Sequence, residues 1–500
     1  MKRGMRTGVV VGLALGCWTC LASSAVADDA KPISLMQTVE RALAGNADLR
    51  RERVAVAKAA ANQIAAEGQF DVLLDSELGT KHEVTPPLPL CPSCIDLNAG
   101  TTTTSSFGLS LSRNLETGGA LKLAGLASRV ASSPLDPSLN IGTFYTSNLA
   151  LTFTHPLLRG FGAEVTLANL SKARIQHDVV QLNRQMRACN VVRDVVVAYW
   201  ELAYATQDLA IKSSAVELAQ EQLRTTKALI DAGRLAITDS ASVERAIAQR
   251  LEDLAVAEQN RYFRSLDLQR LFGVPGDVNL PMLAAADAPA SSAPSVDPAA
   301  EIARAIEANP QLQALRLGIR LSQADIATAR STLRPKLDFT GSVGPAGRKP
   351  SLHDSLGQMA GFDNLAWSAG LAFEMPVENR VARGQMRAAE EEINLSRIDA
   401  EDFAVQVRDL VLRTARSIHT AAKRVELGQQ EVAFAKQNLD AEKARFQVGR
   451  ATNNDVLLRQ QELKDAETRL LRATVDQDES EVALSAATAD VLDRYGVVLK

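Results

Sequence analysis

Aromatic residues make up only 4% of this 500-residue chain. Beyond its first residues it has no uninterrupted apolar run of about 20 residues, the length a transmembrane helix needs. A dominant charge is missing too: 55 basic side chains stand against 59 acidic ones, which excludes a nucleic-acid binder working through bulk positive charge. Histidine is scarce and scattered, at 82, 155, 177, 353 and 419, and there is no HExxH, GxSxG or Gly-rich phosphate loop. Catalysis therefore has no foothold, and no cofactor or metal site is expected. What the chain does have is 46% hydrophobic residues, enough to exclude a disordered polymer. Its Ala-, Gln-, Glu- and Arg-rich stretches build long helices with narrow seams rather than thick globular cores.

Residues 1–27 read as a secretory signal. Lys2, Arg3 and Arg6 give a basic start, Val9 to Leu15 an apolar run, and Ala25-Val26-Ala27 a small-x-small cleavage site before Asp28. Lipid attachment at Cys17, after Leu15-Gly16, is the minority alternative. Removal of this segment moves the formal charge from −4 to −7. The mature chain is expected to be exported without a helix to hold it in a bilayer.

Beyond the signal the sequence repeats itself. Asn46-Ala-Asp-Leu49 recurs as Asn309-Pro-Gln-Leu312, and Leu74-Asp75 as Leu337-Asp338, both 263 positions later. Leu151-Thr-Phe153-Thr-His-Pro156 recurs as Leu371-Ala-Phe373-Glu-Met-Pro376 at offset 220, Arg193-Asp194 as Arg408-Asp409 at 215, and Gly233 as Gly449 at 216. The fall from 263 to 220 places 43 extra residues in the first copy, between Asp75 and Leu151. That region is rich in Thr, Ser, Gly and Pro, where insertions are cheap.

Each copy contains a long helix-compatible stretch, expected at about 162–231 and 382–447. Residues 163–232 hold neither Gly nor Pro, and 385–448 only Gly428, so uninterrupted helices would be roughly 100 Å long at 1.5 Å per residue. Apolar residues recur at strict sevens: Val195, Leu202, Leu209, Val216, Leu223 and Ile230, then Val411, Ile418, Val425, Val432, Leu439 and Phe446, pairwise 216 apart. This is coiled-coil spacing. A second series follows: Ser240, Ile247, Leu254, Arg261 and Leu268 match Val456, Leu463, Leu470, Gln477 and Leu484 at the same offset. Between the series stand tips at 232–239 and 448–455. Gly233 and Gly449 end the outgoing helices, and Thr, Asn or Asp caps the return helices, 240–272 and 456–494. Each copy is read as an antiparallel helical hairpin.

Elsewhere the period is two. Phe107-Leu109-Leu111, Leu149-Leu151-Phe153, Leu337-Phe339-Gly341-Val343 and Leu371-Phe373-Met375 alternate with small or polar residues, and Phe70-Val72-Leu74 starts a similar run. These are strands with one apolar face, expected at about 70–156, 335–345 and 367–376. Thr117-Gly118-Gly119 marks a further hairpin in the first copy. Strands of this kind cross a bilayer only in a closed barrel, and four per chain are too few to close one. The expected fold is α+β, mainly α: a duplicated unit, 28–272 and 301–495, of coiled-coil hairpins and barrel strands. The copies are joined by a Pro-, Ala- and Ser-rich linker at 273–300, read as surface-exposed. Cys91 and Cys94 form a CxxC, which serves as a redox site, half a metal site or a small disulfide. With no second CxxC beyond the signal segment, no nearby His pair and loop flanks, a loop-closing disulfide is expected.

The order helix, strands, long helix, tip, helix, twice over after a signal, resembles the TolC-like outer-membrane efflux proteins across residues 31–495. The most specific pieces are Leu35-Met36-Gln37 with Ala42-Leu43 and Asn46, the tip Gly233-Arg-Leu-Ala-Ile-Thr238-Asp239, and the tip Phe446-Gln-Val-Gly449-Arg-Ala-Thr452-Asn-Asn-Asp455-Val-Leu. The resemblance implies a homotrimer in the outer-membrane lipid. Each chain would give four strands to a 12-stranded barrel and four helical strands to a periplasmic tunnel. Substrates would arrive from an inner-membrane transporter through a periplasmic adaptor docked at the tips, around Gly233, Arg234, Gly449, Arg450 and Thr452. Pro156-Leu-Leu-Arg-Gly160 and Pro376 would mark the passage from barrel to tunnel, and the 43 extra residues would enlarge an extracellular loop or add a barrel hairpin. In the family the entrance is narrowed by Asp rings and shut by Tyr, Arg, Thr and Asp links. Asp455 matches a ring position, and Thr238 and Asp239 match the first hairpin's partners. Phe446 replaces the Tyr, Ala451 the Arg and Leu458 the second ring Asp, so a looser closure, or one built with Arg450, is expected. Asp455 has a second reading as a helix cap.

A periplasmic adaptor is the first alternative function, but it would carry one hairpin nested in β domains. A structural coiled-coil protein of the envelope, the second, would need neither alternating strands nor Gly-centred tips.

Overall fold

In a computed structural model the described residues are 31–86, 100–134, 142–274, 281–289 and 296–497. The signal segment, Cys17, Cys91, Cys94 and parts of the linker lie outside them. The first copy runs β1 (Lys31–Ile33), α1 (Leu35–Gly45), α2 (Ala47–Glu67), β2 (Leu73–Thr85), β3 (Gly100–Asn114), β4 (Ala120–Pro134), β5 (Gly142–Pro156), α3 (Ala163–Thr166), α4 (Ala168–Asp231) and α5 (Asp239–Leu271). The linker contributes β6 (Leu283–Ala285). The second copy follows as α6 (Pro298–Ala308), α7 (Pro310–Thr332), β7 (Lys336–Lys349), α8 (Leu352–Ala360), β8 (Leu365–Glu374), α9 (Arg380–Gln447), α10 (Asn453–Ala487) and α11 (Val491–Arg494).

The long helices α4 and α9 span 64 and 68 residues. Their sevenfold spacing becomes packing. In α9, Ile393, Ala400, Val407, Thr414, Ala421, Gly428 and Ala435 form one buried row, and Val411, Ile418, Val425, Leu439 and Phe446 form the adjacent one. Gly428 costs such a helix about 1 kcal/mol relative to Ala. It lets α10 come close, since a Cβ there would meet Leu470 Cδ1 at 3.3 Å and its Cα at 3.4 Å.

Each long helix lies against two shorter ones: α4 against α2 and α5, α9 against α7 and α10; α4 also packs on α7 and α10. The repeated Asn-x-x-Leu explains how the short helices join. Asn46 Oδ1 accepts from the Asp48 and Leu49 amides, capping α2, while its Nδ2 donates to the Leu271 carbonyl at the end of α5, 3.0 Å away. Asn309 repeats this, accepting from the Gln311 and Leu312 amides and donating to the Ala487 carbonyl that ends α10. One side chain thus satisfies orphan groups at two helix termini, and α5 runs on into α2 as α10 does into α7. Gly45 and Gly273 permit the first junction, because a Cβ on Gly45 would sit 2.0 Å from the Phe272 carbonyl oxygen.

Around these junctions lies the main core, with Ile33, Val39, Val195, Tyr199, Leu202, Leu268, Leu283 and Val475 buried together. Here the linker differs from expectation. β6 pairs in parallel with β1, Lys31 opposite Leu283, and Leu283 is only 4% exposed. The Tyr199 hydroxyl donates to Asp287 Oδ2 at 2.7 Å, and the same oxygen accepts from the Leu35 amide. A Pro- and Ala-rich composition marked a loop, but Leu283 fills a hole in the core that only the folded chain creates.

The strands form one antiparallel sheet in the order β2-β3-β4-β5-β7-β8. Among the described residues this sheet has six strands, not four. The difference is the hairpin β3–β4, which the extra residues insert between β2 and β5. Residues paired across strands share a face, so register defines two surfaces. One carries Leu74, Leu78, Phe107, Leu109, Leu111, Leu121, Leu123, Leu151, Phe153, Val343, Trp367, Leu371 and Phe373. The other carries Asp75, Glu77, Thr102, Thr104, Ser106, Ser110, Lys122, Thr152, Asp338 and Ser368. The helix α8 lies across the apolar face: the Ser147 hydroxyl donates to the Ser355 carbonyl at 2.8 Å, beside Gly347, where a Cβ would clash with that carbonyl. Among the described residues the edge strands β2 and β8 have no neighbour on their outer sides.

Candidate pore-entrance site at the hairpin tips

Both tips turn in the same way. Gly233 and Gly449 have φ of 70° and 75°, the left-handed region where glycine is unstrained. Each is followed by an Arg whose amide closes back five residues, Arg234 to the Leu229 carbonyl and Arg450 to the Arg445 carbonyl, both at 2.8 Å. This is the Schellman ending.

The return helices start differently. At the second tip Thr452 and Asp455 form a capping box: the Thr452 hydroxyl accepts from the Asp455 amide, and the Asp455 carboxylate accepts from the Thr452 amide at 2.8 Å. The Thr452 amide and hydroxyl hold the Asp455 carboxyl below the usual carboxylate range. At the first tip the Thr238 side chain makes no capping bond. Asp239 Oδ2 reaches back to the Ala236 amide at 3.1 Å instead. Phe446 is 4% exposed and packs with Leu439 and Val456 in the small core inside the second tip. Arg450 is exposed, and Arg234 reaches across to the Gln447 carbonyl at 3.5 Å.

A different set of residues ties the two hairpins together. Asn453, buried at the start of α10, accepts from Gln222 Nε2 and Thr226 Oγ1 of α4, both at 2.8 Å, and donates to the Asp239 carbonyl. Further up, Arg250 of α5 donates from Nη1 to the Ala215 carbonyl at 2.7 Å and to Gln460 of α10 at 2.8 Å. Burial pushes the Arg250 guanidinium down, and Asp253 opposes the shift. Lys464 pairs with Asp253 at 3.0 Å. Pattern reading in single seams passed over these groups. Comparing the copies carries the signal, since Arg250 stands where the second copy has the buried Ala466. A polar residue at one of two equivalent buried positions marks a place where the hairpins meet each other.

Higher still, Arg472 of α10 binds Glu201 of α4 at 2.7 Å, Asp476 at 2.6 Å and Glu479 at 3.0 Å. Arg264 of α5 reaches Glu201, and Arg424 of α9 reaches Asp476 at 2.6 Å. All four helical strands meet in this network. Burial pushes the Glu479 carboxyl up to about 7, against the pull of Arg472 and with that of Glu201.

Among the described residues, the duplicated helical hairpins beneath a sheet with one apolar face make up an architecture shared with outer-membrane channels. The family model for outer membrane efflux proteins matches residues 302–490, the second repeat. Outer membrane efflux protein BepC of Brucella suis is 23% identical over 344 residues, 69% of this chain and 72% of that protein. The outer-membrane channel OprN superposes with a TM-score of 0.68 at 16% identity, over 91% of this chain and 89% of that one. The CmeC outer membrane channel of Campylobacter jejuni does so with 0.64 at 13% identity, over 91% and 85%. The second repeat thus matches the outer membrane efflux protein family model, and over most of its length the chain shares the fold of outer-membrane channels.

Proposed function

We propose that the protein is the exit duct of a tripartite efflux or type I secretion system. Three copies close a barrel in the outer membrane, their helices line a tunnel through the periplasm, and the tips dock on an adaptor bound to an inner-membrane transporter. The observation that carries this reading is the sheet, which has an apolar face, a polar face and, among the described residues, two unpaired edges. A sheet of this kind is stable in lipid only when closed. The helices support it as well. On α9, Ile398, Val405 and Leu412 stand seven apart and exposed, a further seam with no partner among the described residues. An N-terminal signal, residues 1–27, delivers the chain for insertion.

In this assembly the tips form the entrance, with Asp455 and Asp239 ringing it, Thr238 and Arg450 beside them, and Phe446 stiffening the second tip from within. Gly233, Arg234, Gly449, Arg450 and Thr452 face the adaptor. Within each protomer the clasp of Asn453, Gln222 and Thr226 holds the hairpins in the closed arrangement. Copurification from cross-linked envelopes tests the reading, with photoreactive side chains placed at Arg234 and Arg450. Covalent capture of an adaptor is expected; trimers that capture none under conditions of active efflux would count against it. In planar bilayers Asp455→Asn is expected to lower cation preference, and unchanged selectivity removes Asp455 from the entrance ring.

A further inference from the structure

We infer that the assembled barrel has eighteen strands, six from each of three copies, and a lumen about 1.5 times as wide as four strands per chain would give. The inference rests on the trimeric reading above and adds the width of its outer-membrane end.

The duplicated unit itself supplies two strands per copy. Leu74-Asp75 of β2 corresponds to Leu337-Asp338 of β7, and Leu151–Pro156 of β5 to Leu371–Pro376, which begins within β8. The 43-residue excess of the first copy falls between β2 and β5 and contains β3 and β4. This hairpin is wall, not an extracellular loop. β3 pairs with β2 along Leu73–Thr85 and with β4 along its whole length, Gly100 opposite Pro134 and Asn114 opposite Ala120. β3 also keeps both faces of the sheet. Phe107, Leu109 and Leu111 continue the apolar row between Leu78 and Leu74 on one side and Ala127, Gly125 and Leu123 on the other. Its opposite face reads Thr102, Thr104, Ser106, Gly108, Ser110 and Ser112, small and uncharged throughout. A strand outside the bilayer has no reason to keep a leucine-and-phenylalanine row in register with its neighbours; a strand facing lipid on one side and water on the other does.

Geometry favours the wider cylinder. With strands about 4.8 Å apart and tilted about 40°, eighteen give a circumference of roughly 110 Å and twelve roughly 75 Å. The twelve helical strands of three copies, at 8–10 Å spacing, give roughly 100–120 Å. Eighteen strands therefore continue the helical wall at nearly constant girth, and the hairpin tips remain the narrowest point. Barrels of 16–18 strands leave an aqueous channel. Here the β3 contribution to its lining carries hydroxyls and no charge, a surface suited to bulky hydrated cargo of either sign.

The test uses the full-length trimer in planar bilayers, with polyethylene glycols of increasing size added on the extracellular side, beside a variant lacking residues 98–140. That deletion leaves β2 beside β5, still antiparallel. The wild type is expected to admit polymers of about 1.5-fold greater diameter than the variant. Electron microscopy of the wild-type trimer in lipid nanodiscs counts the strands directly, whether or not the variant inserts. Eighteen strands support the inference. A closed trimer of twelve, with β3–β4 outside the wall, or equal polymer cut-offs for both proteins, overturns it while leaving the duct intact. A protein that forms no trimer overturns both.

Discussion

Asn46 and Asn309 each join two helices end to end, capping α2 or α7 with the side-chain oxygen and donating from Nδ2 to the last carbonyl of α5 or α10. Loss of such a cap costs about 1 kcal/mol. Asn46→Ala and Asn309→Ala are each expected to lose about that much in denaturant unfolding of the solubilised protein, followed by circular dichroism. Because the two sites lie in different copies, the double variant should lose about 2 kcal/mol by additivity; losses within error of zero would show that the junctions hold without them. Glu479 gives a pH dependence. Its folded pKa, about 7, lies above the ordinary 4.5, so between these values the folded chain binds more protons than the unfolded one. Stability from this group is greatest at low pH and is lost as pH rises from 4.5 through 7. Glu479→Gln keeps a neutral acceptor for Arg472, and its Tm should decline less than the wild type's between pH 5 and pH 8. Superimposable pH profiles would contradict the assignment.

At the scale of elements, the hairpins were legible because their information is local. Sevenfold spacing, Gly233 and Gly449, and the Thr452–Asp455 box act within a few turns, and the constant offset of 216 read them twice. The strands were half legible: alternation found Phe107–Leu111, and Thr117-Gly118-Gly119 marked a turn, yet nothing in the pattern decided between loop and wall. Pairing decided it, and pairing depends on residues far apart in sequence. Leu283 and the clasp at Asn453 escaped for the same reason. Buried polar groups look like surface ones until the second hairpin is placed beside the first. The clasp has a measurable role. Asn453→Ala leaves Gln222 and Thr226 without their shared acceptor in a buried site, a loss of about 1–3 kcal/mol. The hairpins should part more readily, and single-channel conductance should rise. Conductance equal to wild type in a folded trimer would assign closure to other contacts.

At the scale of the molecule, the exposed apolar sheet face and the edges left open among the described residues are what the proposed trimer would cover and pair. β2 runs away from the helices and β8 runs toward them, so in the proposed trimer the edge of one copy would meet the edge of the next in antiparallel sense. The hydrogen-bonding groups left unpaired on both edges are then satisfied together. Oxidative cross-linking in isolated outer membranes tests this most directly, with cysteines placed pairwise on the shared apolar face, at Ser76, Leu78 or Thr80 of β2 and at Leu365, Trp367 or Ala369 of β8, in a background otherwise free of cysteine. A ladder of covalent dimer and trimer that stops at three for at least one register is the predicted result. Monomer alone at every pairing, from protein that is folded and inserted, would contradict a wall shared between copies.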